Sequence, residues 1–117
     1  MSAQAPPLLM VTRLAEHWLG TAGSRPQESL AWRDHALQTM LVAAQYRDTW
    51  PLAARLALAL HPSVWQWGLY RTWAQYLEAV LAHAAGQPAQ AVAELRLALG
   101  ATWCAAGEWE RAGQALR

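Results

Sequence analysis

The residues of this sequence that most often carry out chemistry are four histidines and one cysteine. None of His17, His35, His61 and His83 is followed three or four positions later by a histidine, a cysteine or a carboxylate. That spacing would place two metal ligands on one face of a helix. The sequence also lacks His-Glu-x-x-His, a glycine-rich phosphate loop, Cys-x-x-Cys and Gly-x-Ser-x-Gly. We therefore predict no metal, no cofactor and no catalytic activity.

The single cysteine, Cys104, follows Trp103 in an apolar segment without a basic neighbour that would activate its thiol. We interpret it as a small buried side chain. One cysteine excludes an internal disulfide framework and is typical of a reducing cytoplasm. No signal peptide pattern opens the chain, so we expect a cytoplasmic protein.

Tryptophan is the most unusual feature, with eight among 117 residues. Five aromatic residues and one arginine crowd a single predicted helix, and their directions cover more than one of its faces. One helix cannot bury all of these rings against a single neighbour, and exposed Trp and Tyr often dominate protein interfaces. Core packing and a small-molecule or sugar pocket remain alternatives. The candidate partner-binding residues are Trp65, Trp67, Tyr70, Arg71, Trp73 and Tyr76.

The charge and composition exclude two classes of partner. Nine arginines and eight acidic residues give a net charge of +1, and the arginines are scattered, so no nucleic-acid footprint forms. The longest uncharged apolar run, Leu56 to Leu60, is too short to span a membrane.

The chain contains no Lys, Ile, Asn or Phe, which is typical of a GC-rich bacterial genome. An apolar content of 55% with only 15% charged residues indicates that some apolar surface faces a partner.

Apolar residues recur with helical spacing almost throughout, so we predict an all-α fold of about five to six helices. Short turns favour antiparallel helix pairs. We interpret residues 1–7 as a disordered tail and residues 8–117 as one domain. Pro62 should end the third helix, and Ser63 with Gln66 should cap the fourth. The predicted helices are Leu8–Leu19, Arg25–Tyr46, Trp50–Leu60, Val64–Ala85, Pro88–Ala106 and one that starts near Glu108.

Two segments, 86–99 and 100–116, resemble tetratricopeptide-like helical repeats. Each has a turn glycine, Gly86 or Gly107, and small and large apolar residues alternate at the spacings of that family. Small residues let paired helices approach closely. The two glycines are 21 residues apart rather than 34, so the repeats would be degenerate. The resemblance implies a helical array that binds peptides or proteins, with Trp103 and Trp109 in its core.

The leading hypothesis is a protein–protein interaction module that binds a partner helix or peptide on its aromatic-rich helical face. It could be an adaptor, a chaperone or a regulatory segment of a larger protein. Its size resembles that of the small tetratricopeptide-like chaperones of bacterial type III secretion. The alternatives are a homo-oligomeric structural protein and a small-ligand binder that uses the tryptophan-rich region.

Overall fold

The computed structural model describes residues 5–24, 30–66 and 68–116, and this part of the chain contains helices and turns without strands. The predicted all-α class is therefore confirmed. None of the described helices is both long and apolar enough to cross a bilayer. The helices are α1 (Ala5–Ser24), α2 (Leu30–Ala44), α3 (Trp50–Gln66), α4 (Tyr70–Leu81), α5 (Ala89–Ala105) and α6 (Trp109–Ala115).

The helices pack in the order of the chain. Each contact between described helices joins elements that are adjacent or one place further apart. Helix α3 is central, since it contacts α1, α2, α4 and α5, whereas α6 contacts α5. The short turns of the sequence account for this order because they keep successive helices close together.

Alanine occupies much of the core between these helices. Three of the buried alanines, Ala53, Ala54 and Ala57, follow Trp50 on one face of α3. Small side chains allow the helix axes to approach closely, and a few large side chains fill the remaining space. The largest fully buried side chains are those of Trp50, Trp73, Trp103, Met40, Leu56, Leu60, Leu77, Leu95 and Val80.

The boundary between α3 and α4 differs from the prediction. Helix α3 continues through Pro62 and ends at Gln66, so the predicted cap by Ser63 does not form. Ser63 and Val64 are both buried, and their burial outweighs the local preference against a helix before proline. The chain turns instead at Gly68, whose φ of 71° lies in the left-handed region that glycine adopts without strain.

Helix α1 extends beyond the predicted Leu8–Leu19 at both ends and α4 stops at Leu81 before the predicted Ala85, whereas α5 and the start of α6 agree with the predictions to within one residue. Helix α1 starts at Ala5, inside the predicted disordered tail, because prolines are compatible with a first helical turn. The predicted start of the second helix falls in residues 25–29, outside the described residues. Gly86 and Gly107 have φ values of 79° and 80° in the turns that precede α5 and α6. Left-handed glycines are the expected residues at such turns.

Candidate interaction surfaces

Four rings meet where α3 ends and α4 begins, and we call His61, Trp65, Tyr70 and Trp73 the aromatic junction. The Trp65 and Tyr70 ring centroids are 5.3 Å apart at 77°, an edge-to-face arrangement. The His61 ring lies 5.3 Å from that of Trp65 and 6.2 Å from that of Trp73. The turn at Gly68 thus places aromatic residues of two different helices against one another.

Hydrogen bonds connect the aromatic junction to three helices. The Trp73 Nε1–H donates to His61 Nδ1 at 2.8 Å. The Trp65 Nε1–H donates to the Thr102 hydroxyl at 3.3 Å, and that hydroxyl donates to the Ala98 carbonyl at 2.7 Å. Side chains of α3, α4 and α5 are therefore tied together through groups that are already satisfied inside the protein.

Burial lowers the pKa of His61 below its ordinary value of 6.5, because desolvation disfavours the charged imidazolium. The ring is therefore neutral at pH 7. Since Nδ1 accepts from Trp73, the single proton of the neutral ring resides on Nε2. The half-buried His61 thus acts as a hydrogen-bond acceptor for the core residue Trp73.

The structure separates the six predicted partner-binding residues into different environments. Trp73 is only 1% exposed, so it belongs to the core and offers no surface to a partner. Trp65, Tyr70 and Tyr76 are partly buried, whereas the Arg71 side chain is 69% exposed. Trp67 lies outside the described residues. The aromatic face is therefore less exposed than a single continuous helix would have made it.

Arg71 lies beside a shallow groove between the start of α4 and the end of α5. The Arg71 Nη2 atom forms an ion pair with Glu108 Oε1 at 3.0 Å. The groove has a volume of about 390 Å³, and its lining combines small residues with one leucine, one tyrosine and one arginine. We call it the α4 groove, and its lining residues are Gly68, Leu69, Tyr70, Arg71, Thr72, Ala105 and Ala106.

A second and more apolar groove lies along α5 and the end of α6. Two leucines in it are largely exposed, Leu97 at 65% and Leu116 at 58%. Arg96 lies in the same groove and has no ion pair with any of the described residues. The volume is about 470 Å³. We call it the α5–α6 groove, and its lining residues are Ala84, Gln87, Ala89, Val92, Ala93, Arg96, Leu97 and Leu116.

Helix α5 forms this groove because it is apolar on two faces. One face, which includes Leu95 and Leu99, is buried in the core. Ala93 and Leu97, four residues apart, lie on a different face and line the groove. The helical spacing of Val92, Leu95, Leu99 and Trp103 in the sequence indicates a single apolar stripe, and Leu97 lies outside it. Its position two residues after Leu95 was the available signal.

The two tryptophans on either side of the turn at Gly107 correct one prediction and confirm another. Trp103 is buried in the core as predicted, with 1% exposure. Trp109 is 70% exposed, so the prediction that it belongs to the core is wrong. It is the first residue of the short helix α6, which contacts α5 among the described helices. Ala112, one turn later, takes the buried position instead.

Gly100 allows α6 to approach α5 closely. A Cβ atom at this position would lie 2.8 Å from both Cγ and Cδ2 of Leu116. We expect Gly100→Ala alone to change stability little, because a helix gain of about 0.5–1 kcal/mol is offset by displacement of Leu116. With Leu116→Ala present, the same substitution should stabilise the protein by that full amount. A double-mutant cycle in urea measures the coupling, and strictly additive effects would contradict the proposed contact.

The described residues contain no group of three or more His, Cys, Asp or Glu side chains that could hold a metal ion. Cys104 is partly buried and free. Comparison of the chain with family models, curated proteins and solved structures gives no match.

Proposed function

We propose that this protein is a non-catalytic interaction module that binds an amphipathic helix or peptide of another protein in the α5–α6 groove. The exposure of Leu97 and Leu116 within one groove carries the proposal. When a partner covers water-exposed apolar surface of this kind, the free energy of the system falls. An apolar stripe on a partner helix is the complementary shape, since helices commonly lie in grooves of this type.

The charge of the groove defines the partner further. Arg96 is its single charged lining residue and has no ion pair among the described side chains. A carboxylate at the edge of the partner helix would pair with this guanidinium. Such a pair at the rim contributes mainly to association rate and specificity. We therefore propose a partner segment with one apolar face and at least one flanking Asp or Glu.

The chain order of the helix contacts supports the broader proposal of a degenerate tetratricopeptide-like array. In such arrays each unit contacts its neighbours and leaves a long face free for binding. The contacts between described helices join elements that are at most two places apart. Adaptor, type III secretion-type chaperone and regulatory segment are then three possible uses of one binding surface. The single cysteine and the composition lead us to propose the bacterial cytoplasm as its location.

The test captures partners from native lysate with the purified chain and identifies them by mass spectrometry. Three proteins are compared: the original chain, Leu97→Ser/Leu116→Ser, and Tyr70→Ser/Arg71→Ser as a matched pair in the α4 groove. We expect a stoichiometric partner that the leucine variant loses and the α4-groove variant retains. Circular dichroism must show that all three are equally helical. Loss with the α4-groove variant alone would move binding to the predicted aromatic face and overturn the assignment to α5–α6.

Self-association through the same groove is the second candidate function, because a second copy of the chain could cover the two exposed leucines equally well. Sedimentation of the original chain over a wide concentration range distinguishes the two. A concentration-dependent dimer that Leu97→Ser/Leu116→Ser abolishes would favour the homo-oligomer. A small-ligand pocket has weaker support, since the polar atoms of Trp65 and Trp73 at the aromatic junction already have protein partners.

A further inference from the structure

We propose that the hydrogen bond between His61 and Trp73 is a pH-sensitive latch. In mildly acidic solution His61 becomes protonated, the bond is lost, and the start of α4 loosens from α3. This inference concerns the junction between α3 and α4 and is independent of the partner proposed for the α5–α6 groove.

The geometry allows one protonation state of the ring. His61 Nδ1 accepts from the Trp73 Nε1–H at 2.8 Å. A protonated imidazole carries hydrogen on both nitrogens, and an indole nitrogen can only donate. Two N–H groups would then face one another at hydrogen-bonding distance. Trp73 is 1% exposed, so its N–H can reach water only if the indole ring leaves its buried position. Protonation must therefore displace one of the two rings.

Among the described side chains of the neighbouring helices, none stabilises the charged form of His61. Helix α3 packs against α1, α2, α4 and α5. Burial lowers the pKa of His61, and no carboxylate described on these helices offsets that effect. The titratable and charged side chains described on them are Arg13, Glu16, His17, Asp34, His35, Tyr70, Arg71, Tyr76, Glu78, Glu94, Arg96 and Cys104, and α3 itself adds Arg55.

The direction of the pH dependence follows from this lowered value. The unfolded or opened chain has a histidine pKa near 6.5, above that of the latched form. Below pH 6.5 the opened form binds more protons, so acid favours opening. The latch is fully formed above about pH 6.5 and weakens as the pH falls towards the lower value of the closed form. A single group changes the opening equilibrium by at most about tenfold per pH unit.

The residues around His61 indicate which part of the structure protonation would loosen. His61 also contacts Trp65, whose ring lies edge-to-face against Tyr70 in the first turn of α4. Tyr70 and its neighbour Arg71 line the α4 groove. The α3–α4 connection includes Gly68, which has a left-handed backbone and lies where an added Cβ atom would meet no neighbour within 4 Å. Release of Trp73 therefore loosens this groove before it affects α5.

Hydrogen exchange of the full chain, corrected for the intrinsic pH dependence of exchange, tests the latch. Between pH 6.5 and 5.5 the opening equilibrium of amides in residues 70–77 should rise by up to about fivefold, while amides in residues 95–99 change much less. In His61→Gln, which keeps an acceptor but cannot titrate, the rise should disappear. In the control His83→Gln, which removes an exposed histidine, it should remain.

Titration of the original chain by NMR provides a measurement that needs no variant. The His61 ring signals and the opening of α4 should share one midpoint below pH 6.5. Trp73→Phe should shift the His61 pKa upwards, because it removes the hydrogen bond to the neutral ring. The latch is refuted if the pH-dependent rise in α4 opening persists unchanged in His61→Gln. It is also refuted if α4 and α5 open together, or if the opening of α4 follows the titration midpoint of another histidine.

Discussion

Replacement of Trp50 by alanine is expected to lower the free energy of unfolding by about 3–5 kcal/mol. The side chain has 0% exposure, and its Nε1–H donates to the Val80 carbonyl at 2.9 Å. Trp50 is the first residue of α3 and Val80 lies near the end of α4, so the loss affects two helices. Domains of this size are stable by about 5–15 kcal/mol. Urea denaturation followed by circular dichroism measures the change.

A matched pair of phenylalanine variants separates the hydrogen bond of Trp50 from its volume. Trp103 is equally buried, but no partner for its Nε1 exists among the described atoms. Trp50→Phe should therefore cost about 1 kcal/mol more than Trp103→Phe. The Val80 carbonyl still accepts from the His83 N–H at 3.2 Å, which keeps the difference small. Equal costs would show that the bond from Trp50 contributes no net stability.

A larger side chain at Ala53 should also destabilise the protein. Ala53 has 0% exposure on the face of α3 where alanines let the neighbouring helices approach. We expect Ala53→Leu to cost about 1–3 kcal/mol, because three added carbon atoms force shifts in a close-packed interior. The measurement is the midpoint and slope of urea unfolding.

Ala101→Leu is the control for this substitution. Ala101 lies in α5 and is exposed, so the same chemical change should alter stability by no more than about 0.5 kcal/mol. A similar loss for both variants would mean that burial of Ala53 is not the cause. A neutral Ala53→Leu would mean that space exists beside α3 for a larger side chain.

The sequence predicted the helical class and the last two helices well because their signals are local. Helical spacing identifies α5 and α6, and glycines at 86 and 107 mark the turns before them. The α3–α4 boundary was misplaced because the signal at Pro62 is also local, whereas burial of Ser63 and Val64 depends on the assembled core. Periodicity shows that an apolar face exists but does not say which helix covers it.

Periodicity also could not show which of the predicted partner-binding residues are exposed. A single long fourth helix would have displayed its aromatic residues in several directions. The turn at Gly68 instead divides them between two helices, and Trp65 packs against Tyr70 while Trp73 enters the core. Exposure of Leu97 could not be distinguished from burial by spacing alone, since both faces of α5 are apolar. Which of them remains open depends on how α6 is placed.

The chain-order packing of the helices has a kinetic consequence. Contacts between described helices span at most two places in the order of elements, so little loop-closure entropy opposes their formation. Proteins with such local contacts fold within microseconds to milliseconds. The same topology makes unfolding directional. Among the described helices, α6 contacts α5 alone, so it can detach first. Helix α3 contacts four neighbours and stays in place until the whole domain unfolds.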